Sequence, residues 1–309
     1  QAVLENSADV LRLYPDPEAS ALKHAIAVQQ NIDVANVFVG NGSDEVLAHI
    51  FKAFFIQPLP ILYADISYSF YPVYSQFFAV KTKVLPLNDD FEIVVDDYKQ
   101  ANGGIIITNP NAPTSIALEV SAIEEVLQAN PNSVVVIDEA YVEFHGISAV
   151  SLLEKYDKLI ICRTFSKAYG FASARIGYML AAKDIITMVA KTCMPFHVNA
   201  LTLAAAEIVY QMRDEFIPVI KQTVAERQRM EEKLQTFKEI VVYPSETNFI
   251  LIKLDKANQL NEFLEQNSIG VRSFNNAPQL ENCIRITIGT PEENDVIFSK
   301  ISEFINKER

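Results

Sequence analysis

The chain has 309 residues and a mass of 34.6 kDa, with 50% hydrophobic and 21% charged residues; this is a globular composition, too long for one simple core and suited to two packed lobes. Against 26 Lys and Arg stand 39 Asp and Glu, a net charge of −13, and a surface of that sign repels phosphate backbones and anionic lipids, which argues against nucleic acid or membrane as a partner. No run of about 18 apolar residues is present to span a bilayer, and the opening QAVLENSADV lacks the basic-then-apolar pattern of a signal peptide.

From residue 36 to 180, short β-branched runs alternate with helical stretches. In chain order the expected strands are VFVG (37–40), PILYAD (60–65), GIIIT (104–108), SVVVID (133–138), KLIIC (158–162) and RIGYML (175–180). Several are apolar throughout, as in strands covered by helices on both faces, so the fold class is α/β with a mostly parallel sheet flanked by helices. Residues 199–237 read as a long helical region interrupted near Pro218, because proline has no N–H to donate. IVVYP, NFILIKL, a helix from about Lys256, GVRSF, CIRITIG and a final helix then form a smaller α+β lobe. With no repeat, low-complexity tract or Gly/Ser linker to mark a boundary, the expected division is 1–30 packing on the small lobe and a dimer partner, 31–205 as the large domain, and 206–309 as the small one. Cys162, Cys193 and Cys283 are odd in number and far apart. They match neither a disulfide framework nor a CxxC metal site, and a reducing cytoplasm is the expected compartment.

Four features carry chemistry. From Lys158 to Lys183 there is no acid but there are five cations, Lys158, Arg163, Lys167, Arg175 and Lys183, which in so acidic a chain suggests a local anion site. Within it TFSKAYGFASAR follows the strand KLIIC, so Thr164, Ser166 and Lys167 fall at a strand's carboxyl end, where α/β sheets gather ligands; an ordinary basic loop would have the same composition. In SVVVIDEAY, Asp138 and Glu139 close an apolar run, a pattern shared by helix-start acids and by the magnesium acid of P-loop enzymes. The latter need GxxxxGK[ST], and no Gly-Lys pair exists here. VFVGNGSDEV turns through Gly40 and Gly42 into a helix whose free N–H groups attract phosphate. Glu45 stands where the dinucleotide fingerprint requires its third glycine, so a nicotinamide enzyme is the more distant rival. Last, ISYSFYPVYSQFF groups Tyr68, Phe70, Tyr71 and Tyr74, mostly as core, with one ring free to stack on a flat ligand. A phosphate cradle, a stacking tyrosine, a strand-end carboxylate and a lysine near an arginine together match what pyridoxal phosphate requires.

NGSDE, SYSFY, NPNAPTS, VIDEAYVEF, RTFSKAYGFASARIGY, SETNFI and IRITIGT, in this order, resemble the fold-type-I aminotransferases from about Leu11 to the C-terminus. The resemblance implies a pyridoxal-phosphate-dependent transamination between a small-molecule amino donor, histidinol phosphate, and a 2-oxo acid, 2-oxoglutarate, in a homodimer. Alternatives are an aromatic amino-acid aminotransferase, a threonine-phosphate decarboxylase-like enzyme, or a cofactor-binding protein of weak activity. It implies Lys167 as the Schiff-base lysine and proton shuttle, Asp138 on the pyridine nitrogen and Tyr141 near the 3-oxygen. Ser43 and Asp44 would offer main-chain N–H groups to the cofactor phosphate beside Thr164, Ser166 and Arg175, with Tyr68 stacked on the ring. Tyr14 would reach the neighbour's phosphate, and Arg272 and Arg285 would grip the anionic end of the substrate. Two departures stand out. Ala112 occupies the place of an asparagine in the usual NPNNPTG motif, leaving Asn111 or Tyr141 to compensate. The Asn-Glu-Asn-Pro segment that closes over substrate is not in this sequence.

Overall fold

The structure, a computed structural model of the chain, describes residues 12–274 and 277–308. Strands β1 (Val37–Gly40), β2 (Ile61–Ala64), β3 (Thr82–Leu85), β4 (Ile105–Thr108), β5 (Val135–Asp138), β6 (Leu159–Thr164) and β7 (Gly177–Ala181) form one sheet in the order β1-β7-β6-β5-β4-β2-β3. The run from β3 through β6 is parallel, while β7 is antiparallel to both β6 and β1. The fold is therefore α/β with a mostly parallel sheet.

Side-chain alternation explains the unbroken apolar strands. Successive residues of a strand point to opposite faces. Ile105, Ile107, Val135, Ile137, Leu159 and Ile161 join one core, with helices α1 (Ser20–Gln30), α4 (Val120–Ala129) and α7 (Ala200–Gln211) packed over them. Ile106, Val136, Ile160 and Cys162 join the other, beneath α2 (Ser43–Ile50), α3 (Tyr71–Phe77) and α6 (Lys183–Ala190). The short helix α5 (Val142–His145) follows β5, and the long helix α8 (Arg213–Leu234) leads to a second sheet. That sheet comprises β8 (Val241–Val242), β9 (Phe249–Lys253), β10 (Arg272–Ser273) and β11 (Cys283–Thr287), antiparallel throughout in the order β10-β11-β9-β8. It has its own core with α8, α9 (Ala257–Gln266) and α10 (Pro291–Glu308).

Three expectations give way. The helical region does not break at Pro218, which lies inside α8; the break is at Met212, where α7 ends and α8 begins. Pro218 is exposed, so water can satisfy the carbonyl whose N–H partner proline removes. Strand β3 has no counterpart among the expected elements, because as a sheet edge it exposes Thr82, Lys83 and Val84 and shows no apolar run. Finally, α1 packs on the larger sheet and α7, with Leu22 and Ile26 in that core, not on the smaller lobe. Residues 1–11 lie outside the described residues.

Candidate active site

The in-register parallel pairing of β4, β5 and β6 aligns Thr108, Asp138 and Cys162 across one edge of the sheet. Thr164, Ser166, Lys167, Ser43, Asp44, Tyr68 and Arg175 lie on the strand ends, loops and helix start at this edge. Thr164, at the end of β6, pairs with Gly177 of β7. A Cβ on Gly177 would sit 2.3 Å from the Ser43 backbone nitrogen, so glycine lets β7 press against the start of α2. Gly42 has φ 93°, a conformation that strains any residue with a side chain, and the Arg175 guanidinium lies 2.7 Å from where a Cβ would stand. The Arg175 guanidinium thereby reaches Asp44 at 2.9 Å. The Tyr68 hydroxyl donates to the same carboxylate at 2.7 Å, and the Tyr74 hydroxyl donates to the Asp44 carbonyl at 2.9 Å. Across from them the Thr164 hydroxyl donates to the Ser166 hydroxyl at 2.9 Å, and the Ser166 N–H to Thr164 Oγ1 at 3.1 Å. Hydroxyls, a guanidinium and the opening N–H groups of α2 make a cradle suited to an anion.

Of the five cations in the acid-free window, only Lys167 and Arg175 belong here. Lys158 and Lys183 flank the opposite ends of β6 and β7, and Arg163 is buried against Glu139. That pair settles which of the two neighbouring carboxylates is available. Glu139 accepts from Arg163 Nε at 3.0 Å, from the Ser148 hydroxyl at 2.8 Å and from the Ala149 N–H at 2.8 Å, and Arg163 Nη2 lies 2.9 Å from it. Glu139→Ala should cost about 3–5 kcal/mol by leaving a buried guanidinium without its partner. Denaturant unfolding measures that loss, and a change under 1 kcal/mol would reduce the pair to a surface-like contact.

Asp138 is placed differently. It is buried, Oδ2 accepts from the Tyr71 hydroxyl at 2.9 Å, and Oδ1 receives no well-formed hydrogen bond. Burial pushes its carboxyl up to about 6; the Tyr71 hydrogen bond pulls the other way, the nearby Asp44 charge raises it, and the Ala140 N–H lowers it. An ionised buried carboxylate with one free oxygen is costly unless a cationic donor completes it. A protonated ring nitrogen is such a donor, and in this respect the site fits pyridoxal phosphate.

Lys167 is exposed, and its Nζ lies 5.4 Å from the centroid of the Tyr141 ring. Tyr141 meets Phe249 edge-on at 5.2 Å, and the Arg285 guanidinium covers the Phe249 ring at 4.8 Å. Arg285 Nε is buried without a partner. Arg272 is exposed but sits directly opposite Arg285 in the β10–β11 ladder, where like charges repel unless an anion lies between them. Ala112 packs with Tyr141, Ala168 and Phe249. Both amide hydrogens of Asn111 are committed, to the Ile66 carbonyl and to Thr114 Oγ1 at 2.8 Å each. Tyr14 is 82% exposed and stacks on Phe196 at 4.6 Å, apart from the cradle. Sequence reasoning placed Tyr71 only among core aromatics and gave no role to Thr108 or Phe249. Buried tyrosine and core phenylalanine leave the same trace in a sequence, so no signal was available for these three.

A mostly parallel sheet thus brings a strand-end acid, a lysine on the next strand's loop and an anion cradle at a helix start to one edge, a set that suits a phosphate-bearing ring cofactor. Residues 1–301 match the family described as aminotransferase class I and II, and the chain belongs to that family. It is 53% identical over 299 residues to the histidinol-phosphate aminotransferase of Acinetobacter baumannii, covering 95% of this chain and 82% of that protein. The histidinol-phosphate aminotransferase of Sinorhizobium meliloti, solved in complex with pyridoxal-5'-phosphate, superposes with TM-score 0.89 at 25% identity, over 100% of this chain and 87% of that one. The L-threonine-O-3-phosphate decarboxylase of Porphyromonas gingivalis superposes with TM-score 0.86 at 27% identity, over 98% and 94%. No described helix is long and apolar enough to cross a membrane.

Proposed function

We propose that the protein is a pyridoxal-phosphate-dependent aminotransferase of histidine biosynthesis that takes the amino group of histidinol phosphate and passes it to 2-oxoglutarate. The observation that carries this reading is Asp138: a buried carboxylate at a strand end with one oxygen held and one oxygen free. When bound, the cofactor supplies a ring that accepts the electron pair left on the substrate α-carbon as its proton departs. The remaining work falls to the chain. Lys167 holds the cofactor and moves the proton at the α-carbon, and its exposed amine, free of any ion pair among the described residues, suits that role. Asp138 keeps a proton on the ring nitrogen. Ser43, Asp44, Thr164, Ser166 and Arg175 would hold the phosphate, the first two through main-chain N–H groups, and Tyr68 would lie against the ring. With Ala112 unable to donate and the Asn111 hydrogens committed, Tyr141 takes the 3-oxygen.

The working unit in this reading is a homodimer in the cytoplasm. Tyr14, stacked on Phe196 and 82% exposed, leaves apolar surface suited to a second copy, and Tyr14 would reach the phosphate of the neighbouring copy. A large and a small lobe, one built on each sheet, fit this reading. Leu22 and Ile26 of α1 and Ala206 and Tyr210 of α7 belong to the larger core, so α1 goes with the large lobe and the division falls after α7 instead of at residues 30 and 205.

Arg272 and Arg285 read the donor. One guanidinium pairs bidentately with a carboxylate, whereas a phosphate has a further oxygen and charge to satisfy. Arg285→Ala should damage reaction with every donor. Arg272→Ala should penalise histidinol phosphate over phenylalanine and glutamate by about 1.5–3 kcal/mol, the value of one charge-assisted bond. The measurement is kcat/KM for the three donors in each variant. Equal losses across donors for Arg272→Ala would remove its role in reading phosphate, and a wild-type preference for phenylalanine would favour an aromatic amino-acid aminotransferase.

A further inference from the structure

We propose that Tyr71, oriented by Thr108, is the positioning residue that fixes Asp138 for the cofactor's ring nitrogen. This rests on the reading of Asp138 as that nitrogen's partner. Tyr71 opens α3, is fully buried, and its ring is clamped edge-on by Tyr63 at 5.9 Å and Tyr68 at 5.5 Å. Its hydroxyl lies 2.8 Å from Thr108 Oγ1 and 2.9 Å from Asp138 Oδ2, between two residues that are cross-strand neighbours in register.

A proton count gives this row a direction. A phenol has one proton to donate. If Tyr71 gives it to the carboxylate, the hydroxyl of Thr108, which has no other hydrogen bond among the described residues, must donate to Tyr71. Both protons then point toward Asp138, an arrangement that favours the charged carboxylate. It also occupies Oδ2 and so leaves Oδ1 as the acceptor that a ring N–H must use. Burial works toward the neutral acid, which would lose that preference, and the Tyr71 hydrogen bond works against it. Tyr71 thus touches neither substrate nor cofactor in this role and acts through Asp138.

The experiment compares the cofactor-free wild-type protein with Tyr71→Phe, Thr108→Val and Thr108→Ser. Each is titrated with pyridoxal phosphate and with its deaza analogue, in which C–H replaces the ring nitrogen. Tyr71→Phe should weaken pyridoxal phosphate about tenfold or more, the effect of one hydrogen bond to a charged group, and leave affinity for the deaza analogue unchanged. Thr108→Val should give a smaller loss of the same selectivity, and Thr108→Ser should restore it. Thr108→Val keeps the test valid if Tyr71→Phe does not fold. Equal weakening of both ligands would mean a merely structural contact and overturn the proposal, as would no weakening of either. Wild-type protein that holds both ligands equally would overturn the pairing of Asp138 with the ring nitrogen, and this role with it.

Discussion

Lys167→Ala should abolish transamination while leaving the protein folded. The side chain is exposed and makes no ion pair among the described residues, so its removal takes little from the core. If it holds the cofactor as proposed, its loss removes both the covalent attachment and the base at the substrate α-carbon. General acid–base catalysis alone is worth about 10²–10⁴ in rate, and the missing attachment lowers activity further. Lys167→Arg separates proton transfer from charge, because a guanidinium keeps the cation and does not give up its proton near neutral pH. That variant should be as inactive as Lys167→Ala. The readouts are turnover and the mass of the chain after borohydride treatment with pyridoxal phosphate. Wild type should gain the reduced cofactor on the peptide containing Lys167, and both variants should gain nothing. Turnover by either variant, or labelling at another lysine, would place the reactive amine elsewhere.

The buried strands were legible because a parallel sheet covered on both faces is written as short apolar runs. GIIIT, for example, contains β4, a parallel strand with all four residues buried. Elements that depend on pairing rather than burial left no such trace. Strand β3 is such an element, an edge with three of its four residues exposed, whereas β8 and β10, of two residues each, lie within the expected segments IVVYP and GVRSF. Pro218 misled for a related reason. Its local rule is sound, but in an exposed stretch of helix water replaces the lost donor, and the change of direction falls at Met212 instead.

Residue types in the site were legible too, whereas their partners were not. The acid-free window drew attention to the strand end where Lys167 and Arg175 lie, yet composition counts Arg163 with Arg175 although one is buried against Glu139 and the other reaches Asp44 at the start of α2. Asp138 and Glu139 are adjacent in sequence and opposite in consequence. Asp138 alternates with Val136 toward α3 and Tyr71, while Glu139 finds Arg163, which alternates with Ile161 toward the other core. Period-two reasoning carried past the strand end would have separated them. Arg272 and Arg285 stand on neighbouring strand-like segments in the sequence, but with 12 residues between them only three-dimensional register places one directly opposite the other.

Asp138→Asn should reveal a conflict between stability and function. In the cofactor-free protein the carboxyl is raised from 3.8 to about 6, chiefly by burial. Below the lower value it is protonated whether the chain is folded or not, and folding carries no penalty. Between the two values the folded state holds a proton that the unfolded state has released. Above about 6 the folded protein must carry a buried charge, and the full penalty applies. Stability contributed by this group therefore falls as pH rises through that window, by about 3 kcal/mol at 1.36 kcal/mol per unit. Asparagine does not titrate. Whatever fixed offset its amide introduces, the cofactor-free variant should gain on the wild type by about that amount between pH values of roughly 3.5 and 7.5. Denaturant midpoints at the two pH values measure it. With cofactor and substrates present the order should invert. The variant no longer holds a proton on the ring nitrogen, and kcat should fall roughly 10²-fold or more, the scale for removing one preorganised electrostatic group, with little change in KM. A cofactor-free wild type whose stability follows the variant's across this pH range would show that the carboxylate is solvated rather than buried. A normal kcat in the variant would take the ring nitrogen away from Asp138. Glu139 is no substitute, because its oxygens are already committed to Arg163, Ser148 and Ala149.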